Sequence, residues 1–364
     1  MDVSRLECCD LVLYEGFAEA HSLVERVRAT GLFNEVWGVV PFYPEYHHLG
    51  TTYLKESFFQ PLESKVRFYS GCPFLEGRNY DVFMCACANR LSLDAKRYCV
   101  PRGYSIFFDD GAGSHSGNVF KNFACFDTSL ASFRLSLDKK ERLKSLARRV
   151  ACVAVGKEAC FNIKQIWLLG PTETEEKAFR GVEVRRIPLD DASGVVARAL
   201  GGGSDPHRYE GVRHIYLVSS GFLPEETLRW EQKLIEELDK KLGGKLYLRL
   251  HPNRSSDDFP DMLERILPRD DLWELLIGEG VINDESVLYG LCTTAQMTPK
   301  TIYGLEPTLV MLYRLVSPQG LPITDFGQMA GDLQHRYHHR ERVIIPETED
   351  EFWASIDQFG TAQS

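Results

Sequence analysis

The sequence predicts an α/β protein made of two doubly wound halves, each a parallel sheet wrapped by helices. Two observations predict it. Short apolar runs of strand length alternate with amphipathic helical stretches almost from the first residues, the pattern of repeated βα units. The alternation breaks once, at Gly201-Gly202-Gly203-Ser204-Asp205-Pro206-His207, and then starts again. At 364 residues the chain is also longer than one ordinary core supports. We therefore expect domains at 1–203 and 204–364, joined by a flexible linker at the glycines. Two such halves leave a cleft between them, a common place for a small-molecule site.

In the first half, Asp10 to Tyr14 reads as a strand and Ala18 to Arg28 as a helix stopping near Gly31. Glu35 to Val40 is the next strand, residues 51–64 look helical, and Lys65 to Tyr69 reads as a short strand. Tyr80 to Ala86 and Tyr104 to Phe108 are continuous apolar runs, as strands covered on both faces of a parallel sheet should be. Leu137 to Val150 patterns as a basic amphipathic helix, with Lys139, Lys140, Arg142, Lys144, Arg148 and Arg149 around Leu143 and Leu146. Such a face is normally just solvated, and it also allows contact with an anionic membrane surface. Short strands at Cys152 to Val155 and Gln165 to Leu169 continue this half.

In the second half, the run from His214 is a strand ending in Val218-Ser219-Ser220-Gly221. Glu225 to Leu242 is a long helix halted by Gly243-Gly244. Lys245 to Leu250 is a strand delivering His251-Pro252-Asn253. A helix near 258–266 leads to short strands at Trp273 to Ile277, Ser286 to Tyr289 and Pro307 to Tyr313. Arg342 to Ile345 reads as the last strand and Asp350 to Phe359 as a closing helix.

Composition narrows the function classes. Lys and Arg number 42 against 52 Asp and Glu, a net charge of −10 that speaks against a general nucleic-acid binder. The 10 cysteines form no Cys-x-x-Cys pair and lie mostly inside apolar runs, as buried reduced thiols of a cytosolic protein do. The first residues lack the basic head and apolar core of a signal peptide, and no apolar run reaches the roughly 18 residues of a membrane span. We expect a cytoplasmic protein, at most peripheral to a membrane. The sequence allows a homodimer.

Four features stand at predicted strand ends, where ligands bind in open α/β sheets. The strand ending at Phe108 runs into Asp109-Asp110-Gly111-Ala112-Gly113-Ser114. A carboxylate there can act as general base toward a hydroxyl, although an Asp-Gly turn explains the same residues. Adjacent residues on a strand face opposite ways, so one aspartate faces the cleft and the other braces the turn. His251 is held extended by Pro252 and has a pKa suited to hydrogen-bonding or protonating a leaving phosphate. Thr293 and Thr294 precede a helix start that falls after Thr294, or after Thr298 with Pro299 at its first position. Free N–H groups and hydroxyls there make an anion site, and plain N-capping uses the same residues. Ser219 and Ser220, with Gly221, form a similar strand-to-helix turn that could touch a nucleotide.

Two other patterns are set aside. Gly111-Ala112-Gly113-Ser114-His115-Ser116-Gly117 spaces its last glycine one residue too far for a dinucleotide fingerprint. The His335-Arg336-Tyr337-His338-His339-Arg340 run looks metal-like, but its cationic neighbours disfavour a metal ion. A polar helix end or a contact with an anionic partner suits it better.

An acid-acid-Gly turn after a strand, a later strand-His-Pro, and a hydroxyl pair opening a helix together resemble the signature of bacterial sialyltransferases. The likeness is to glycosyltransferase family 52 and the related capsular polysialyltransferases. It covers residues 270–315, through Trp273-Glu274, Leu288 to Ala295, Thr298-Pro299-Lys300 and Gly304 to Leu309, and is local at 104–115 and 251–252. The resemblance implies two Rossmann-like doubly wound domains facing a cleft, the GT-B type. It also implies inverting transfer of sialic acid from a CMP-activated donor to a glycan or glycolipid acceptor, such as lipooligosaccharide or capsule, without a catalytic metal or cofactor. Asp109 takes the family's base position beside Asp110 and Gly111, and His251 with Pro252 meets the donor phosphate. Thr293 stands where the family usually has Ser, and Thr293 and Thr294 would hold that phosphate. Other readings stay open: transfer of Kdo, pseudaminic or legionaminic acid, a nucleotide-sugar epimerase or hydrolase, or a sugar-nucleotide-binding scaffold. The intact Asp109, Asp110 and His251 speak against the last.

Overall fold

The computed structural model describes residues 9–14, 20–39, 59–60, 68–69, 75, 77–85, 95, 99–108, 163–168, 182–187, 192–200, 206–221, 223–252, 254–269, 271–291, 293–316 and 326–361. In chain order its strands are β1 (Leu11–Tyr14), β2 (Val36–Val39), β3 (Phe59–Gln60), β4 (Phe68–Tyr69), β5 (Tyr80–Cys85), β6 (Cys99–Phe108), β7 (Ile163–Leu168) and β8 (Glu183–Arg186). They continue with β9 (His214–Leu217), β10 (Leu246–Arg249), β11 (Val287–Gly290), β12 (Thr308–Met311) and β13 (Val343–Ile344). The α-helices are α1 (Ala20–Ala29), α2 (Ala192–Leu200), α3 (Glu225–Lys241), α4 (Trp273–Gly278), α5 (Thr298–Tyr303), α6 (Phe326–Arg336) and α7 (Glu349–Thr361).

The α/β class is what the strands show. Every pairing is parallel except the short β3–β4 pair. Two compact units divide the chain, one of Lys55–Pro188 and one of Met1–Leu54 with Leu189–Ser364. This differs from the single break between 203 and 204 that composition suggests. The reason is packing: α2, which precedes the glycines, packs against α4, α5 and α1 of the same unit. Glycines 201–203 themselves lie outside the described residues, as do the basic helix expected at 137–150 and the strand expected at 152–155. Within the helix expected at 51–64, Phe59–Gln60 is instead a strand paired with Phe68–Tyr69.

The smaller unit carries a four-stranded parallel sheet in the order β5-β6-β7-β8. Ile106, Phe107, Ile166 and Leu168 are buried in it, which accounts for the unbroken apolar runs of its central strands.

In the larger unit five parallel strands run in the order β10-β9-β11-β12-β13. The chain therefore starts near the middle of this sheet, steps outward from β9 to β10, then returns past β9 to β11. Right-handed crossovers put connections made in opposite directions on opposite faces, so the sheet is doubly wound. All four residues of both β9 and β11 are buried. Helix α3 shows how one connection packs. Its buried stripe is Thr227, Glu231, Leu234, Ile235 and Leu238, a helical period with one carboxylate in it. It ends as expected, with Gly243 and Gly244 at φ 64° and 76° and their N–H groups closing on Lys240 and Asp239 carbonyls.

Two local expectations change. Trp273 to Ile277 forms helix α4 instead of a strand; a short apolar run carries no period that separates the two states. The helix expected near 258–266 is two 3₁₀ turns, Ser256–Asp258 and Pro260–Arg265, with Pro260 opening the second. Among the described residues no helix is long and apolar enough to cross a membrane.

One buried amide ties β11 to β12, and a carboxylate braces the start of β12. The fully buried Gln296 donates its amide to the Leu288 and Val310 carbonyls, both at 3.1 Å. Beneath it a side chain at Gly290 would place a Cβ 2.9 Å from Gln296 Oε1 and 3.0 Å from Thr293 Cγ2, so any other residue there would push the Gln296 amide out of place. At the opposite, amino-terminal end of β12, Glu306 accepts from Lys300 Nζ (2.6 Å), the His338 N–H (2.8 Å), His338 Nδ1 (2.7 Å) and the His339 N–H (3.2 Å). Burial alone would push this carboxyl up, but those donors together bring it from 4.5 down to about 2.

Glu306 therefore stabilises the fold in full above pH 4.5, and that stabilisation is lost as pH falls through about 2. Urea unfolding between these limits should show wild-type stability rising with pH by about one proton more steeply than in Glu306→Gln. Equal slopes would remove Glu306 from the acid response.

Candidate functional site

The carboxyl-terminal edge of the five-stranded sheet gathers most of the sequence candidates. Leu217 on β9 is in register with both Arg249 on β10 and Gly290 on β11. The ladder extends one step further, with the Val218 N–H donating to the Arg249 carbonyl at 2.9 Å. Ser219, His251 and Thr293 follow directly on three neighbouring strands. The order reversal lies between β9 and β11, and in open α/β sheets that crevice is where ligands sit.

The individual residues differ in what they present. Ser219 is 3% exposed and turned inward, its N–H donating to Glu231 Oε1 at 3.1 Å. Ser220, half-buried, is the outward member of that pair. His251 is half-buried and Pro252 exposed, on a tight turn closed by the Arg254 N–H to the His251 carbonyl at 2.9 Å. Thr293 and Thr294 are half-buried. Both expected helix starts come one residue earlier: Thr293 caps a 3₁₀ turn, Thr294–Gln296, and α5 begins at Thr298, so Pro299 takes its second position. The Thr293 hydroxyl accepts from the Ala295 N–H at 3.3 Å, so one lone pair serves the cap while its proton stays available to a ligand oxygen. Indole Nε1 of Trp273 donates to the Ala295 carbonyl at 2.9 Å and steadies this turn from below.

Asp109, Asp110 and Gly111 belong to the other unit and lie outside the described residues. The strand before them, β6, ends at Phe108 and is paired on both sides, to β5 and β7.

One residue the sequence reading missed stands behind this edge. Glu231, fully buried on α3, accepts from the Ser219 N–H and from the Tyr216 hydroxyl (3.3 Å) and faces Arg254 Nη1 at 3.5 Å. Burial pushes its carboxyl up, against the pull of Ser219, Arg254 and Tyr216. The signal was a glutamate inside the apolar stripe of an otherwise regular amphipathic helix.

The histidine run resolves as a polar helix end. His335 Nδ1 meets the Gly331 carbonyl at 2.7 Å, His338 meets Glu306, and His339 meets Glu341 at 3.2 Å. Among the described residues no group of three His, Cys, Asp or Glu side chains could hold a metal ion. A cavity of about 530 Å³ opens at the opposite end of the sheet, lined by Tyr209, Arg213, His214, Lys245, Glu279 and Glu285 among others. There His214 is pushed down to about 4, by burial first and then by Arg213 and Lys245, and its Nδ1 lies 2.9 Å from the Tyr289 hydroxyl. None of the sequence candidates lines it, and its walls mix cations with carboxylates.

Removing the Thr293 cap should cost about 1 kcal/mol. We expect Thr293→Ala to lower the unfolding free energy by that amount and Thr293→Ser to hold it; equal stabilities would show that the cap contributes nothing.

No protein-family model matches the sequence. No curated protein sequence matches it either. Among solved structures the chain is similar to residues 113–497 of a sialyltransferase from Photobacterium damselae, described as its GT-B domain, at 10% identity and TM-score 0.45 over 92% of this chain and 99% of that one. It is similar to the S. aureus MnaA–UDP co-structure at 12% identity and TM-score 0.40, over 94% and 93% of the two chains. It is likewise similar to the spinosyn forosaminyltransferase SpnP at 12% identity and TM-score 0.41, over 97% and 99%.

Proposed function

We propose that the protein is an inverting glycosyltransferase of GT-B type that moves sialic acid, or a related nonulosonic acid, from a CMP-activated donor to a hydroxyl of a glycan acceptor. The observation that carries this reading is the carboxyl edge of the five-stranded sheet. Three neighbouring strands there lead into a histidine, a pair of serines and a pair of threonines around the order reversal. The chemistry of that set suits a nucleotide phosphate, with hydroxyl donors and an imidazole that can donate a hydrogen bond. The order of the motifs along the chain, which resembles that of bacterial sialyltransferases, supplies the sugar class.

In the proposed reaction the acceptor oxygen attacks the anomeric carbon of the donor. Asp109 takes the hydroxyl proton while Asp110 and Gly111 shape its turn. The bond from the anomeric carbon to the phosphate oxygen breaks, its electron pair staying with CMP. His251, set by Pro252, donates a hydrogen bond or its proton to that phosphate. Thr293, Thr294 and Ser220 give it further donors, and Ser219 anchors the strand end from inside. A glycolipid or capsule acceptor would bring the enzyme to the inner face of a membrane.

Purified protein incubated with CMP-sialic acid, CMP-Kdo and UDP-GlcNAc should release nucleotide from a CMP-sugar, with the rate unchanged in EDTA. Asp109→Ala and His251→Ala should each lower transfer at least a hundredfold with thermal stability kept. Turnover of the UDP-sugar alone would replace this reading with an epimerase or hydrolase. Near-normal transfer in either variant would take that residue out of the mechanism.

A further inference from the structure

Behind the carboxyl edge lies a charge pair that the proposed chemistry does not use. Glu231 is fully buried and Arg254 is 7% exposed, and their facing atoms, Oε2 and Nη1, have no hydrogen-bond partner. They are 3.5 Å apart. A leucine at 231 would continue the apolar stripe of α3. Burying two charges costs their hydration, and replacing such a pair with apolar side chains is often neutral or stabilising. Stability alone therefore does not account for the pair.

Its connections do. One oxygen of Glu231 holds the Ser219 N–H at the end of β9, and the other faces a guanidinium from the turn after β10. That guanidinium is fixed in turn by Asp258 at 2.8 Å and lies 5.6 Å from the centre of the Phe259 ring. Arg254 also closes the His251 turn through its own N–H, and its carbonyl receives Arg269. The two strand ends that carry Ser220 and His251 are thus joined through one buried carboxylate.

We infer that Glu231 and Arg254 are positioning residues that hold the His251 turn against the Ser219–Ser220 strand end, setting the spacing of the groups that meet the nucleotide phosphate. This rests on the functional reading above. The pair acts through His251 and Ser220 and touches no substrate itself.

The test uses the full-length protein with Glu231→Gln, Arg254→Lys, Arg254→Met and the double variant Glu231→Leu/Arg254→Met. Melting temperature, CMP affinity by calorimetry, and kcat and KM with CMP-sialic acid are measured together. The double variant should melt within a few degrees of wild type or higher, yet show kcat at least tenfold lower and CMP affinity several-fold weaker. Arg254→Lys should recover part of the loss seen in Arg254→Met. Wild-type kcat and KM in a stably folded double variant would overturn the inference and leave the pair a packing feature. Hydrogen exchange of peptides spanning 217–221 and 250–254 is read without any ligand. At least tenfold faster exchange is expected in the double variant, and unchanged exchange overturns the inference. If wild-type protein neither binds CMP nor consumes a CMP-sugar, the functional reading fails, while the exchange comparison still decides whether the tie exists.

Discussion

Parallel strands are joined almost always by crossovers of one hand, and the larger unit of this protein is shaped by that preference. Its chain enters the sheet at β9, builds outward once, and must return past its own starting strand to continue. The return leaves a crevice at which the connections on either side diverge to opposite faces. At that crevice the ladder ends, and turns follow the strands. Hydroxyls, a histidine and glycine are what this sequence puts at these points, whereas the strands leading to them are apolar apart from His214 and Arg249. The division of labour is sharp: strand interiors hold the sheet, and strand ends carry the polar groups.

The polar residues behind the edge follow from the same constraint. A strand end that displays groups to a ligand cannot be fixed by the ladder, because the ladder has stopped. Something else has to hold it. On the β9 and β10 side this is Glu231 with Arg254; on the β11 side it is the Thr293 cap, the Trp273 indole and the Gln296 amide. Glu231 and Gln296 bind main chain of the strands or their ends, Thr293 and Trp273 bind main chain of the turn after β11, and Arg254 backs the Glu231 carboxylate.

Much of this was legible in the residues. Strands such as β9, β11 and β12 announce themselves because burial on both faces demands unbroken apolar runs, and His251 is marked by the proline that ends its strand. Helix α3 was readable at both ends, from its acidic first turn and its two glycines. What was not legible depends on long-range packing. Trp273 to Ile277 is apolar except for Glu274 and only five residues long, too short for a period that separates the helix it forms from a strand. The grouping of α2 with later helices cannot be seen in a glycine run that merely looks like a linker. Glu231 reads as one more charge on a charged helix until its place in the buried stripe is counted, and its partner lies on a turn more than twenty residues away.

The fit between Gly290 and Gln296 bears on how such an edge can evolve. The amide fills the space that any side chain at 290 would need, and it stitches two strands while doing so. Neither position can drift alone: a larger residue at 290 demands a smaller one at 296, and a smaller one at 296 frees two carbonyls. Descendants of this sequence should therefore change the two together or not at all. Ser220 is half-buried and Pro252 exposed, further out on the same edge. New donor preferences would arise first at those outer residues, with the 290–296 pair inherited as one unit beneath them.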